Sequence, residues 1–231
     1  MKIGIIGTGN IGGALTRRFA ALGHEVFIAN SRGPDSLREL AAQTGARPVS
    51  VQDAARNGDV VIVTIPQKNI PLLPRDLFAE VPADVVVVDT GNYYPRQRDG
   101  RIEPIEAGST ESRWVAEQLG RPVVKAFNNI QARHLEEKGE PAGTPGRIAL
   151  PVAGDDPIAK DIVFTLIEEL GFDPVDAGGI DESWRQQPGS PVYAKDFDAE
   201  GVKRALAAAN QQRAAEWRGT ANSPGNFAAP A

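Results

Sequence analysis

Residues 5–15 read IIGTGNIGGAL, and this stretch decides the fold. It follows a short β-branched run, KIGIIG (2–7), and opens a helical pattern that continues through TRRFAALGH. Gly7, Gly9 and Gly12 thus carry the spacing G-x-G-x-x-G where it has physical meaning, at a strand turning directly into a helix. Gly7 permits the tight turn, Gly9 lets a pyrophosphate approach the backbone, and Gly12 lets the helix lie close on the strand. The free N–H groups of Gly9, Asn10 and Ile11 then face an anion at the helix N-terminus. The alternative is a tight turn that binds nothing.

The next strand, EVFIAN (25–30), ends in FIANSRG (27–33). An NAD site places a carboxylate about twenty residues after the glycine turn, where it accepts from the ribose 2′-hydroxyl. This chain has Asn30, Ser31 and Arg32 there. A 2′-phosphate would be repelled by a carboxylate, but Ser31 can donate to it and Arg32 can pair with it through a planar fork. Charge-assisted bonds contribute about 1.5–3 kcal/mol each. Two of them predict a preference for NADP(H) of roughly 10²–10³-fold, at about 1.4 kcal/mol per decade. The alternative for Arg32 is a solvated loop cation.

Strand-like and helical segments alternate onward. PDSLRELAAQTG (34–45) is an amphipathic helix, and DVVIVTIP (59–66), DVVVVDTGN (84–92) and PVVKAF (122–127) are near-continuously apolar strands. Buried strands separated by helices predict a Rossmann-like α/β fold, a doubly wound, mostly parallel sheet. RIALPVAG (147–154), PIAKDIVFTLIEELG (157–171) and DPVDAG (173–178) repeat the pattern on a smaller scale. We expect residues 1–145 to form the NADP-binding domain and residues 146–218 to extend the same sheet, with a closing helix over 198–217. Residues 219–231 have a tail composition.

Composition narrows the chemistry. The 231 residues are 41% hydrophobic, enough for a sizeable core, and the net charge of -5 argues against a nucleic-acid or anionic-membrane partner. The absence of cysteine removes disulfides, thiolate metal sites and cysteine nucleophiles. Two histidines are too few for most metal centres, so no metal is expected. Met1-Lys2 leads straight into a strand, and no apolar run reaches membrane length; a cytoplasmic protein is the expectation.

Taken together, GTGNIGGAL, NSR, TIP (64–66), VKAFNN (125–129) and SWRQQPGSPVY (183–193) resemble the NADPH-dependent reductases of the deazaflavin coenzyme F-420 (F420). They are also similar to the NADPH-binding cytosolic domain of six-transmembrane metalloreductases. The resemblance implies hydride transfer between NADP(H) and a flavin-like ring, with F-420, FMN or FAD as acceptor. It implies that Thr8, Gly9, Asn10 and Ile11 line the pyrophosphate, that Ser31 and Arg32 hold the 2′-phosphate, and that Ile65, Pro66 and Ala126 flank the nicotinamide side, with Thr64 a further cofactor contact. Asn69 falls where relatives place a polar residue facing the cofactor. One departure is the lack of a second cation shortly after Arg32, for which Arg38 is a weak substitute.

The loop SWRQQPGSPVY offers an indole, amides and a turn fixed by Pro188-Gly189, so Trp184, Gln187 and Pro188 are candidate acceptor contacts. A structural loop whose Trp184 plugs the sheet end is the competing reading. Asn128 is a candidate beside the reacting ring or a cap of the next helix. No catalytic acid or base is expected, because hydride transfer between two rings needs orientation and exclusion of water more than a proton donor. Lys125, inside a strand, reads as an ion-paired structural lysine rather than a carbonyl-polarising one, and His134 as a surface residue. Two other functions remain open: an NADP-dependent reductase of a small carbonyl or imine, and a non-catalytic NADP-binding sensor. A homodimer is left open too.

Overall fold

The computed structural model describes residues 1–220. Its first unit runs β1 (Lys2–Ile6), α1 (Asn10–Ala21), β2 (Glu25–Ala29), α2 (Arg38–Thr44), β3 (Arg47–Pro48), α3 (Val51–Asn57), β4 (Val60–Val63), β5 (Val86–Asp89), α4 (Glu103–Glu106), α5 (Glu111–Leu119), β6 (Val124–Lys125) and α6 (Ala132–Glu137). β7 (Ala149–Val152), α7 (Pro157–Glu169), β8 (Asp173–Asp176) and α8 (Ala199–Ala207) follow.

α3 and α5 start where their sequences supply a cap. The Ser50 hydroxyl accepts the Asp53 N–H at 3.0 Å, and Thr110 does the same for Arg113 at 3.2 Å. α2 ends at Gly45, whose φ of 76° is the left-handed conformation that stops a helix.

Six strands form one parallel sheet in the order β3-β2-β1-β4-β5-β6, with Ile5 opposite both Ile28 and Ile62. The β-branched strands are buried on both faces, as a sheet covered on each side requires. Leu15, Phe19, Leu135 and Leu166 pack one face; Phe78, Trp114 and Val115 pack the other. Each such side chain contributes about 1.5–3 kcal/mol when fully buried. The strand order reverses between β1 and β4, which opens a crevice at their carboxyl ends.

Two expectations need correction. β7 and β8 form a separate two-stranded parallel sheet, which among the described residues meets the main sheet at one antiparallel bridge, between Lys125 and Ala153. β6 is two residues long because the chain turns away at Phe127, whose φ is 61°, so only one residue pair can bridge. The closing helix is also shorter than 198–217. Asp198 caps its start at Gly201 N, 2.7 Å away, but it stops at Ala207. Beyond it, Asn210 Oδ1 accepts the Gln212 N–H at 2.9 Å, a local turn that competes with helix.

Residues 208–220 instead run as a strap along the carboxyl edge of the sheet. Gly219 donates its N–H to Glu106 Oε1 at 2.6 Å, so the start of the expected tail is docked. Residues 221–231 lie outside the described residues.

Candidate functional site

The turn between β1 and α1 assigns each glycine a steric reason. Gly7 has φ 103°, and a Cβ there would lie 2.7 Å from Ile65 Cγ2 as well as on the Thr64 carbonyl. A Cβ on Gly12 would fall on the Gly7 carbonyl oxygen. Gly9 differs: it is exposed, and a Cβ there would meet nothing within 4 Å. No side chain caps the first turn of α1 at Gly9. Free first-turn N–H groups and the positive end of a helix dipole facing open space suit an anion.

The loop after β2 is folded by Asn30. Its Oδ1 accepts the Arg32 N–H at 2.8 Å, and its Nδ2 donates to the Ser36 hydroxyl at 2.9 Å. Ser36 Oγ passes the chain on by donating to the Gly33 carbonyl at 2.8 Å. This leaves Ser31 and Arg32 exposed at the end of β2, and the Arg32 guanidinium has no ion-pair partner among the described residues. Arg38 is engaged elsewhere, 2.6 Å from Asp35. Arg32 shares a cavity of about 500 Å3 with Thr8, Gly9, Asn10, Gly13 and Arg17. The sequence pattern gave no reason to look at Arg17, because its link to this cavity is made by helix geometry alone.

Across the crevice, Thr64, Ile65 and Pro66 are half-buried at the end of β4. Asn69 follows in a 3-10 turn, its N–H donated to the Pro66 carbonyl at 2.9 Å. At the end of β6, Ala126 and Phe127 are sealed from solvent. Asn128 is fully engaged within the protein. Its Nδ2 donates to Asn92 Oδ1 at 3.0 Å and to the Gln186 carbonyl at 2.6 Å, and its Oδ1 accepts from Gln186 Nε2 at 3.0 Å. Asn129 is the opposite case: 1% exposed, with neither amide atom partnered among the described residues.

The 180–193 segment brings the remaining candidates together. Trp184 and Gln187 line a cavity of about 280 Å3 with Ile105, Thr110 and Arg213, and a second one of about 300 Å3 that also takes in Pro188. Gln187 Nε2 is buried without a partner among the described residues, while its Oε1 accepts from Arg213 at 3.1 Å. Arg213 also reaches Glu111 Oε1 at 2.6 Å, and Glu111 is wholly buried. Trp217 packs near the rings of Tyr94 and Tyr193, at 6.0 and 6.2 Å, and those two tyrosines share a hydroxyl–hydroxyl hydrogen bond. Burial raises the pKa of both, and of Tyr93, above the ordinary tyrosine range.

Lys125 and His134 find acidic partners. Lys125 Nζ lies 3.1 Å from Asp89 Oδ2 with both side chains buried, and His134 Nδ1 lies 2.9 Å from Asp196. Among the described residues no group of three His, Asp or Glu side chains is placed to hold a metal ion. None of the helices there is long and apolar enough to cross a membrane.

Comparison with known proteins gives the family. Residues 2–93 match the family described as NADP oxidoreductase, coenzyme F420-dependent. The F420-dependent NADP reductase of Methanothermobacter thermautotrophicus is 32% identical over 204 residues, covering 79% of this chain and 83% of that protein. Two other relatives are matched over less of their own length. YjhV of Escherichia coli is 43% identical over 86 residues, which is 37% of this chain and 56% of that protein. The metalloreductase STEAP3 of Rattus norvegicus is 26% identical over 181 residues, 78% of this chain and 34% of its own. A solved structure, the hypothetical protein SMa0349 of Sinorhizobium meliloti, superposes with TM-score 0.69 at 33% identity, covering 85% of this chain and 94% of that one. The chain belongs to the coenzyme F420-dependent NADP oxidoreductase family.

Proposed function

We propose that this chain transfers a hydride between NADP(H) and a flavin or deazaflavin ring bound at the carboxyl edge of the sheet. The open space at Gly9 fits a pyrophosphate, and the unpaired Arg32 with Ser31 fits a 2′-phosphate. Bound NADP(H) supplies the hydride. The protein's part is to hold the phosphates at α1 and the β2 loop, to set the ring against Ile65 and Pro66, and to keep water out; Ala126, expected on the same side, is sealed from solvent. Trp184, Gln187 and Pro188 offer an aromatic wall and a free amide donor to a flat acceptor, under a strap held by Arg213.

The observation that carries the ring-acceptor reading is Lys125. A carbonyl reductase needs a cation or acid facing the carbonyl oxygen, and here that lysine is buried against Asp89 and the Gly91 carbonyl. Ring-to-ring hydride transfer needs no such group.

The test is to follow the nicotinamide absorbance of NADPH while F420, FMN, FAD and riboflavin are added in turn, with NADH and Arg32→Ala as controls. Oxidation by one ring acceptor, faster with NADPH and blunted in the variant, supports the reading and names the acceptor. Tight NADPH binding with no turnover by any ring overturns it and leaves a small carbonyl or imine substrate, or a sensing role.

A further inference from the structure

We propose that Arg17 is the second cation of the 2′-phosphate subsite, a specificity-determining residue acting beside Arg32; this rests on the NADP(H) reading above. A 2′-phosphate carries about 1.5–2 negative charges, more than one guanidinium balances. The cation nearest in sequence, Arg38, pairs with Asp35 at 2.6 Å and does not line the cavity that holds Arg32. Arg17 comes from α1 and enters the same cavity as Arg32, Thr8 and Gly9.

The helix geometry explains how it gets there. Side chains on a helix lean toward its N-terminus, so Arg17 reaches back up α1 toward the glycine turn. It lies over Gly13, where a Cβ would stand only 3.3 Å from Arg17 Nη1. The missing side chain at Gly13 thus makes the track along which the guanidinium runs. Glu136 on α6 holds Nη1 at 3.0 Å and fixes the orientation. The other donors of the planar fork have no partner among the described residues and remain available to a phosphate oxygen. The side chain is 48% exposed, so a variant there removes little packing.

The experiment titrates the intact protein with NADPH, NADH, 2′,5′-ADP and 5′-AMP, comparing wild type with Arg32→Ala, Arg17→Ala and Arg17→Lys, each checked by thermal unfolding. Arg17→Ala is expected to weaken NADPH and 2′,5′-ADP about tenfold, the loss of one charge-assisted bond, while NADH and 5′-AMP stay within about twofold. Arg17→Lys restores part of the loss as a point charge. Equal weakening of all four ligands, or of none, overturns the proposal while Arg32→Ala still reports on the NADP(H) reading. Failure of that reading shows in a separate arm, as wild type binding NADH as tightly as NADPH, and it removes the proposal with it.

Discussion

Lys125 Nζ donates to Asp89 Oδ2 across 3.1 Å with both side chains shut off from solvent, and this pair ties the end of β6 to the end of β5. Asp89 also accepts from Ser112 Oγ at 2.7 Å and from the Gly91 N–H at 2.8 Å, while Lys125 donates to the Gly91 carbonyl. The network therefore fixes the turn that leads to Asn92 and, through it, to Asn128. Replacing Lys125 by Met leaves a buried carboxylate uncompensated, at an expected cost of about 3–5 kcal/mol. Denaturant unfolding reads that loss directly. Turnover of the folded fraction is expected within a few-fold of wild type, with the same pH profile. A loss of several orders of magnitude with stability intact would make Lys125 a carbonyl-polarising group instead.

The three motif glycines separate folding from binding. A methyl at Gly12 collides with the Gly7 carbonyl, so Gly12→Ala is expected to unfold the protein or lower its melting temperature sharply. Gly9 has φ -72° and open space around its Cβ position, so Gly9→Ala is expected to fold with unchanged or slightly higher stability. Its methyl occupies the approach to the helix N-terminus. Binding of NADPH and NADH should weaken together, because the pyrophosphate is common to both. Calorimetric titration beside a thermal scan checks both halves; Gly9→Ala with wild-type affinity would move the pyrophosphate elsewhere.

The main sheet and the phosphate end of the site were legible because their signals are local. Gly7, Gly9 and Gly12 sit in one turn, Asn30 to Arg32 in one loop, and β-branched runs mark each central strand. The acceptor end was only partly legible, because it is made by contacts between distant segments. Arg213 and Glu111 stand 102 residues apart, and nothing around either predicts the other. Asn128 and Asn129 are neighbours of identical type, yet one is engaged at both ends of its amide and the other at neither. That Arg17 lines one cavity with Arg32, and Arg38 does not, was illegible for the same reason: proximity in sequence is not proximity on the surface of a helix.

The tyrosines give a pH prediction. The chain has three, and all three ionise less readily than a free tyrosine, chiefly because burial disfavours the phenolate. A raised folded-state pKa means that the folded protein holds its protons more tightly than the unfolded chain. The stability this contributes is present in full below the ordinary value of about 10.0 and is lost as pH rises above it. Tyrosinate absorbance is therefore expected to be nearly absent in the folded protein near pH 10 and to appear together with loss of ellipticity at higher pH. Early titration of one tyrosine in a still-folded protein would place its hydroxyl in contact with solvent.

Asn129 sets stability against function. A buried amide without partners costs about 1–3 kcal/mol, and the nearby backbone carbonyl of Asn129 is already taken, accepting the Ala194 N–H at 2.9 Å. Under the proposed ring-to-ring transfer, a side chain kept at that cost just past β6 is expected to gain its partner from the acceptor. Asn129→Leu, close in volume and unable to hydrogen-bond, is expected to raise unfolding stability by about 1–2 kcal/mol. The same variant should lower kcat/KM for the ring acceptor by about tenfold or more, the loss of one or two hydrogen bonds to a desolvated group, with NADPH affinity little changed. Guanidinium unfolding and steady-state kinetics on one preparation decide it. Lower stability with wild-type kinetics would show that the amide supports the turn after β6 and faces no ligand.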